Sequence, residues 1–379
     1  MASFSSNYLV PGANPNDGGG GSINSVNAGT GITITGPATD PIVNATAIIK
    51  TPSQSIFVSP NGDDTTGDGS AVNPYLTITK ALVIRTNLGP DNEIEIILYA
   101  GIYTEQITLT YPNTYITAFP NQYDSTGSTN KPVTIDGGIT INTQIVTFNT
   151  NVIAFSNLNL NGPFIIVGTS ANQAVNFQMH NCRTSATISL QNQVLNIGMN
   201  ATFSDCFIIN TNAEDRCILA VGFDLEIIRC EIVHSNNTAQ SIINLQSGIS
   251  KPSTLNMQYS QVISLSASTS VFPLIWYQNT FASSGTDQYL YNTFKYTQET
   301  NPFSSPNKIC ILYDNAASLD VSNVMYNNFL NPGGNNIIKK VALTSPVNIS
   351  NLFINYGSVN SFFIDPTITA SDQGHIVTF

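Results

Sequence analysis

An apolar residue, any second residue, an Asn or Asp, and then a small or apolar residue recur through the middle of this chain at a fixed spacing. Segments 155–158, 179–182, 203–206 and 227–230 align without gaps at 24 residues. They carry Asn157, Asn181, Asp205 and Arg229 in third place, and Leu158, Cys182, Cys206 and Cys230 in fourth. The same signature continues at 257–260, 290–293, 321–324 and 349–352, with Asn292, Asn323 and Asn351 in third place. There the spacing widens to about 28–33 residues, as happens when insertions bulge from one loop of a repeating coil. Alternation resumes after each signature, as in Leu158-Asn-Leu160 and Cys230-Glu-Ile232. The pattern predicts short strands on either side of a sharp turn, with the apolar residues pointing inward. Asn and Asp tolerate the left-handed backbone that such a turn needs. Coils stacked about 4.8 Å apart would let the turn residues Asn157, Asn181, Asp205, Asn292, Asn323 and Asn351 form a hydrogen-bonded ladder.

A second stretch reads differently. Phe57-Val-Ser-Pro-Asn-Gly-Asp-Asp64 is followed by Gly67-Asp-Gly69 and by Asn73 to Leu82, and Glu95 to Glu105 follows. Together with the 24-residue repeat, these segments resemble the right-handed parallel β-helix of the pectin-lyase-like superfamily, over residues 55–365. The resemblance implies an all-β, single-stranded solenoid, an N-terminal capping helix near 77–85 and a first coil at 95–105. It says little about activity, because function lives in sites grafted on folds.

Composition fits stacked coils. Of 379 residues only 9% are charged and 41% are hydrophobic, and about one in eight is Asn, a mixture poor for helices. The net charge of −11 argues against a nucleic-acid partner, which calls for a basic stripe. No apolar run is long enough to span a bilayer, so no membrane insertion is expected. The start, Met-Ala-Ser-Phe-Ser-Ser-Asn, lacks the basic and apolar regions of a signal peptide, which predicts synthesis in a host cytoplasm without secretion. Five Cys in no metal spacing, three of them at inward positions, read as buried free thiols.

The first fifty residues form a separate region. Residues 14–21 are a Gly-rich linker, and 32–35 alternate Ile and Thr as a short two-faced strand. Residues 22–45 resemble N-terminal segments of phage tail-fibre proteins and of virion proteins of large DNA viruses. The expected organisation is an extended arm at 1–50 and a β-helix at 51–379. The β-helix would have a cap at about 55–105 and closing strands at about 360–379. The arm is suited to docking on a particle by adding a strand to another chain.

Three groups carry candidate chemistry. Arg183, Phe207 and Glu231 fall on one outward row, beside a turn row that places Asp205 next to Arg229. Glycoside hydrolysis needs two carboxyls on one face, which makes Asp205 and Glu231 the acid/base candidates, against the plainer reading of a surface ion pair. Asp63, Asp64 and Asp68 share one Gly-rich loop and are the Ca²⁺ candidates, against an ordinary polar turn. Trp276, Tyr277, Tyr289 and Tyr291 are the aromatics for a glycan or subunit interface, against a place in the core. The polygalacturonase-type signatures Asn-Thr-Asp, Asp-Asp and Gly-His-Gly are not met as a set, and no cofactor is expected. The expectation is a structural component of a virus particle: a surface fibre, spike or capsid-associated protein anchored by its arm. By resemblance to such fibres it would be a homo-oligomer, with a trimer favoured, located in the virion and also contacting host glycans. The alternatives are a polysaccharide-degrading hydrolase or lyase and a non-catalytic glycan-binding module.

Overall fold

The computed structural model describes residues 32–35, 42–45, 54–89, 92–119, 132–143, 152–168, 175–193, 199–212, 215–236, 240–266, 272–278, 283–296, 310–314, 319–330, 338–340, 348–349, 352–356, 369–370 and 377–378. The chain divides into two compact units, 1–52 and 53–379. In the first, Ile32–Thr35 pairs antiparallel with Ile42–Ala45, with Ile32 opposite Ala45 and Thr35 opposite Ile42. The Ile-Thr alternation thus marks a real strand, and its partner is a run that the alternation alone does not reveal.

In the second unit each coil contributes three short strands, and successive coils pair in parallel. One stack runs through Val152–Ser156, Val175–His180, Met199–Ser204, Asp224–Ile228 and Thr254–Gln258. A second runs through Asn159–Leu160, Arg183–Thr184, Phe207–Asn210, Glu231–His234 and Gln261–Ser264. The third is nine-stranded and includes Phe164–Gly168, Ile188–Asn192, Ile218–Val221 and Ile243–Gln246. This is a right-handed parallel β-helix.

Period-two alternation builds the interior. Ile153 and Phe155, Phe177 and Met179, Ala201 and Phe203, and Leu225 and Ile227 all point inward from the first stack and are buried. In-register pairing sets Phe155 beside Met179 and Phe177 beside Ala201, and Phe155, Phe177 and Phe203 meet across the diagonal with ring centroids 6.1 and 5.8 Å apart. Each such side chain contributes about 1.5–3 kcal/mol by leaving water. The five cysteines are free and buried, among them Cys182, Cys206 and Cys230 at the inward positions their spacing predicts. Burial pushes the Cys206 thiol well above its usual range, so it stays protonated and inert.

The N-terminal end of the core is closed by the helix Ile78–Asn87, which buries Ile78 and Ala81. Thr77 caps it by accepting from the Lys80 N–H at 3.0 Å. The first helical N–H groups, otherwise orphaned, donate to the Glu105 carboxylate, Ile78 at 2.6 Å and Thr79 at 2.8 Å. At the other end Arg85 is buried. It donates to Pro112 O at 2.6 Å, Gly89 O at 2.5 Å and Thr114 Oγ1 at 3.1 Å, and its guanidinium lies 5.6 Å from the Tyr111 ring. Toward the C-terminus Thr369–Ala370 pairs in parallel with Asn348–Ile349, and Val377–Thr378 with Asn355 and Tyr356.

Candidate functional site

The turn between the first and second stacks forms a continuous edge of the β-helix. Its residues are Asn157, Asn181, Asp205, Arg229, Tyr259 and Tyr291, all with φ between 49° and 62°. The edge changes character along its length. Asn181 Nδ2 donates to Asn157 Oδ1 at 2.7 Å. Arg229 donates through Nε and Nη2 to the two oxygens of Asp205, both at 2.7 Å. Tyr259 and Tyr291 stack with ring centroids 5.1 Å apart and planes 1° from parallel.

Beneath this row lies a second, buried ladder. A left-handed residue interrupts the parallel pairing, so the next N–H and a nearby carbonyl need other partners. The following coil supplies them. Cys206 N–H donates to Cys230 Sγ, Cys230 N–H to Ser260 Oγ, Ser260 N–H to Asn292 Oδ1 and Asn292 N–H to Asn327 Oδ1. In return Asn292 Nδ2 donates to Met257 O and Asn327 Nδ2 to Tyr289 O, both at 2.8 Å. The amide of an Asn offers both donor and acceptor, whereas sulfur offers weak versions of each. Coils with an outer Asn or ion pair therefore carry Leu or Cys inside, and coils with an outer Tyr carry Ser or Asn inside.

This corrects two expected ladder positions. Asn292 is not a turn residue. The left-handed position belongs to Tyr291, and Asn292 is fully buried one step further on. Asn323 lies in the strand opposite Gln288, three residues before Tyr326, which the register places opposite Tyr291. Asn351 lies outside the described residues.

Of the two acid/base candidates, Asp205 is closed by an ion pair and Glu231 stands apart from that pair's hydrogen bonds. The Arg229 guanidinium holds the Asp205 carboxyl below the usual carboxylate range, so Asp205 is an anion with both oxygens engaged. His180 Nδ1 stands 3.5 Å from it. Glu231 is exposed on the predicted outward row, directly after Phe207, whose ring lies 5.3 Å from the Arg183 guanidinium. The Ca²⁺ candidates are spread over separate turns. Asp63 accepts from the Thr65 and Thr66 N–H groups, Asp68 from Ser70, and Asp64 from Leu76, Thr77 and the Thr77 hydroxyl. Among the described residues no three His, Cys, Asp or Glu side chains gather as a metal site.

The aromatic candidates also separate. Tyr277 and Tyr289 are fully buried with their hydroxyls bonded to each other, so neither reaches a ligand. Trp276 is half-buried on the outer side of the third stack, beside Phe272. Tyr291 is 49% exposed, and Tyr259, which the sequence pattern shows only as an odd residue in third place, is 57% exposed. Beside the buried tyrosines sits Asp287, at an inward position that earlier coils fill with Leu225 and Leu255. Its Oδ1 accepts from the Leu255 N–H at 2.8 Å, and its side chain also bonds Tyr277. Burial pushes its carboxyl up to about 7.

No protein-family model and no curated protein sequence matches the chain. Among solved structures it is similar to the pectin methylesterase from Aspergillus niger, at 15% identity and a TM-score of 0.39, over 86% of this chain and 92% of that one. It is also similar to the pectin methylesterase PemA from Erwinia chrysanthemi, at 13% identity and a TM-score of 0.29, over 73% and 81%. A rhamnogalacturonan lyase shows 12% identity and a TM-score of 0.30, over 73% and 75%. Those activities belong to those proteins.

Proposed function

We propose that the chain is a non-catalytic structural subunit of a virus particle, a fibre, spike or capsid-associated protein built on a parallel β-helix. Its N-terminal unit anchors it to other particle proteins, and its outer edge meets host glycans as an adhesive contact. The observation that carries the non-catalytic part is the closed Asp205–Arg229 pair. The carboxylate placed to act as an acid or base is a rung of the turn ladder instead. The particle assignment rests on the resemblance of residues 22–45 to virion and tail-fibre segments, and the homo-oligomeric state, with a trimer favoured, on the same resemblance. The two-strand pairing of Ile32–Thr35 with Ile42–Ala45 supports an anchor that adds strands to a neighbour.

The test is a density-gradient separation of particles from the source that makes this chain, followed by peptide quantification. Peptides from 53–379 are expected to peak with the particles, and a chain lacking 1–52 to remain in the soluble fraction. A full-length chain found only in soluble fractions contradicts the proposal.

A further inference from the structure

The last strand position in the second stack carries a buried polar residue in three successive coils. Asn210 pairs with His234 and His234 with Ser264, and none is more than 3% exposed. Each binds the backbone in the same way where the chain leaves this stack. The Asn212 N–H donates to Asn210 Oδ1 at 2.9 Å, the Asn236 N–H to His234 Nδ1 at 3.0 Å and the Ser266 N–H to Ser264 Oγ at 3.4 Å. The first two side chains also donate to a carbonyl of the segment that leads into the third stack. Asn210 Nδ2 donates to Arg216 O at 2.9 Å, and His234 Nε2 to Asp215 O at 2.8 Å. A backbone N–H can only donate and a carbonyl can only accept, so these partners fix the imidazole as its neutral Nε2–H tautomer. His234 is thus the one rung of these three whose bonding depends on a proton near physiological pH.

We propose that His234 is an acid-released latch on the segment that begins at Ser235. Protonation puts a second N–H on the ring at Nδ1, facing the Asn236 N–H. Two donors cannot bond each other, and a donor left without an acceptor costs more than the lost bond alone. Asn210 and Ser264 do not titrate in this range, so the corners below and above stay closed. Burial holds the imidazole below its ordinary value of 6.5. The latch therefore contributes fully above pH 6.5, and its contribution is lost as pH falls through the lowered folded value. The strands below and above, Phe207–Asn210 and Gln261–Ser264, bring no ionisable side chain. Among the described residues the ionisable groups around the corner are Asp215, Arg216, Cys217 and Glu231. Asp215 is exposed, accepts from Asn212 Nδ2 at 2.8 Å and favours the imidazolium. Arg216 Nη2 donates to Gln240 Oε1 at 2.5 Å. The buried Cys217 thiol donates to Val233 O at 3.4 Å, and Glu231 is exposed on the outer side of the strand. The Arg216–Gln240 bond ties the far end of the segment to the coil before it, which confines the opening to the end at Ser235 and Asn236.

The test follows amide hydrogen exchange in the full-length chain from pH 7.5 to 4.5, with each amide corrected for its intrinsic rate. Protection of the Asn236 amide is expected to fall at least tenfold over this range. Its midpoint should match the titration of the His234 ring followed by NMR. The Asn212 amide, held by Asn210 in the same way, should change less than twofold. In His234→Asn the Asn236 amide should show no such fall. Asn is chosen because it fills the equivalent position 210 one coil earlier, and an unchanged unfolding temperature at pH 7.5 checks that the coil is intact. Asn236 protection that holds while the ring titrates overturns the latch, and this wild-type comparison decides the matter even if the variant does not fold. A ring that stays neutral down to pH 4.5 overturns it as well. So does a loss of protection that persists in His234→Asn or that Asn212 shares.

Discussion

At the scale of residues, the chain satisfies its turn backbone in two interchangeable ways, with a polar outer row or a polar inner row. Asn292 carries the inner solution. Replacing it by Ala orphans the Ser260 N–H and the Met257 carbonyl, both buried. The expected loss is about 2–5 kcal/mol, measured as a lowered denaturant midpoint. Tyr291→Gly, one residue earlier, is expected to cost far less, because Gly relieves the positive φ. Asp287 gives a pH dependence. Its folded carboxyl titrates at about 7 against an ordinary value of 3.8, so it is protonated in the core below neutral pH. Its stabilising contribution is full below about pH 4 and is lost as pH rises through 7, by on the order of 4 kcal/mol. Stability scans of the wild type and Asp287→Asn from pH 4 to 8 check this. The wild-type curve should fall across that window and the variant curve should not. The Asn-centred motif was legible at 157 and 181 because those coils keep the polar residue outside and the 24-residue period intact. It slipped at Asn292 and Asn323 because the polar residue had moved inward while the period grew to 30, 32 and 35. Tyr in the left-handed position gives no turn signal in a sequence.

At the scale of elements, the capping helix is tied to the first coil by Glu105 and to the loop at 112–114 by Arg85. Glu105→Ala is expected to weaken the helix start by about 1–2 kcal/mol. The readout is faster hydrogen exchange at the Ile78 and Thr79 amides, with the amides of Val175–His180 and Met199–Ser204 unaffected. The helix was expected near 77–85 from the resemblance carried by the polar loop and the residues after it, and the Thr77 cap emerged only with the structure. Glu105 as its partner was not, since 27 residues separate it from Ile78. The aromatic cluster shows the same limit. Composition gathers Trp276, Tyr277, Tyr289 and Tyr291, but strand phase alone decides that Tyr277 and Tyr289 face the core while Tyr291 faces water. A widened, insertion-bearing coil hides that phase.

At the scale of the whole molecule, two units divide the chain at residue 52. Deleting 1–52 is expected to leave the cooperative unfolding transition of 53–379 within a few degrees of the full chain, by calorimetry. On the proposed reading this β-helix supports and adheres rather than cleaves. The most direct measurement incubates the full-length chain with a broad panel of polysaccharides, scored for new reducing ends and unsaturated products. No release from any substrate is the predicted result. Release from any one of them, abolished by Glu231→Gln, would contradict the claim and turn the Asp205–Glu231 surface into an active site.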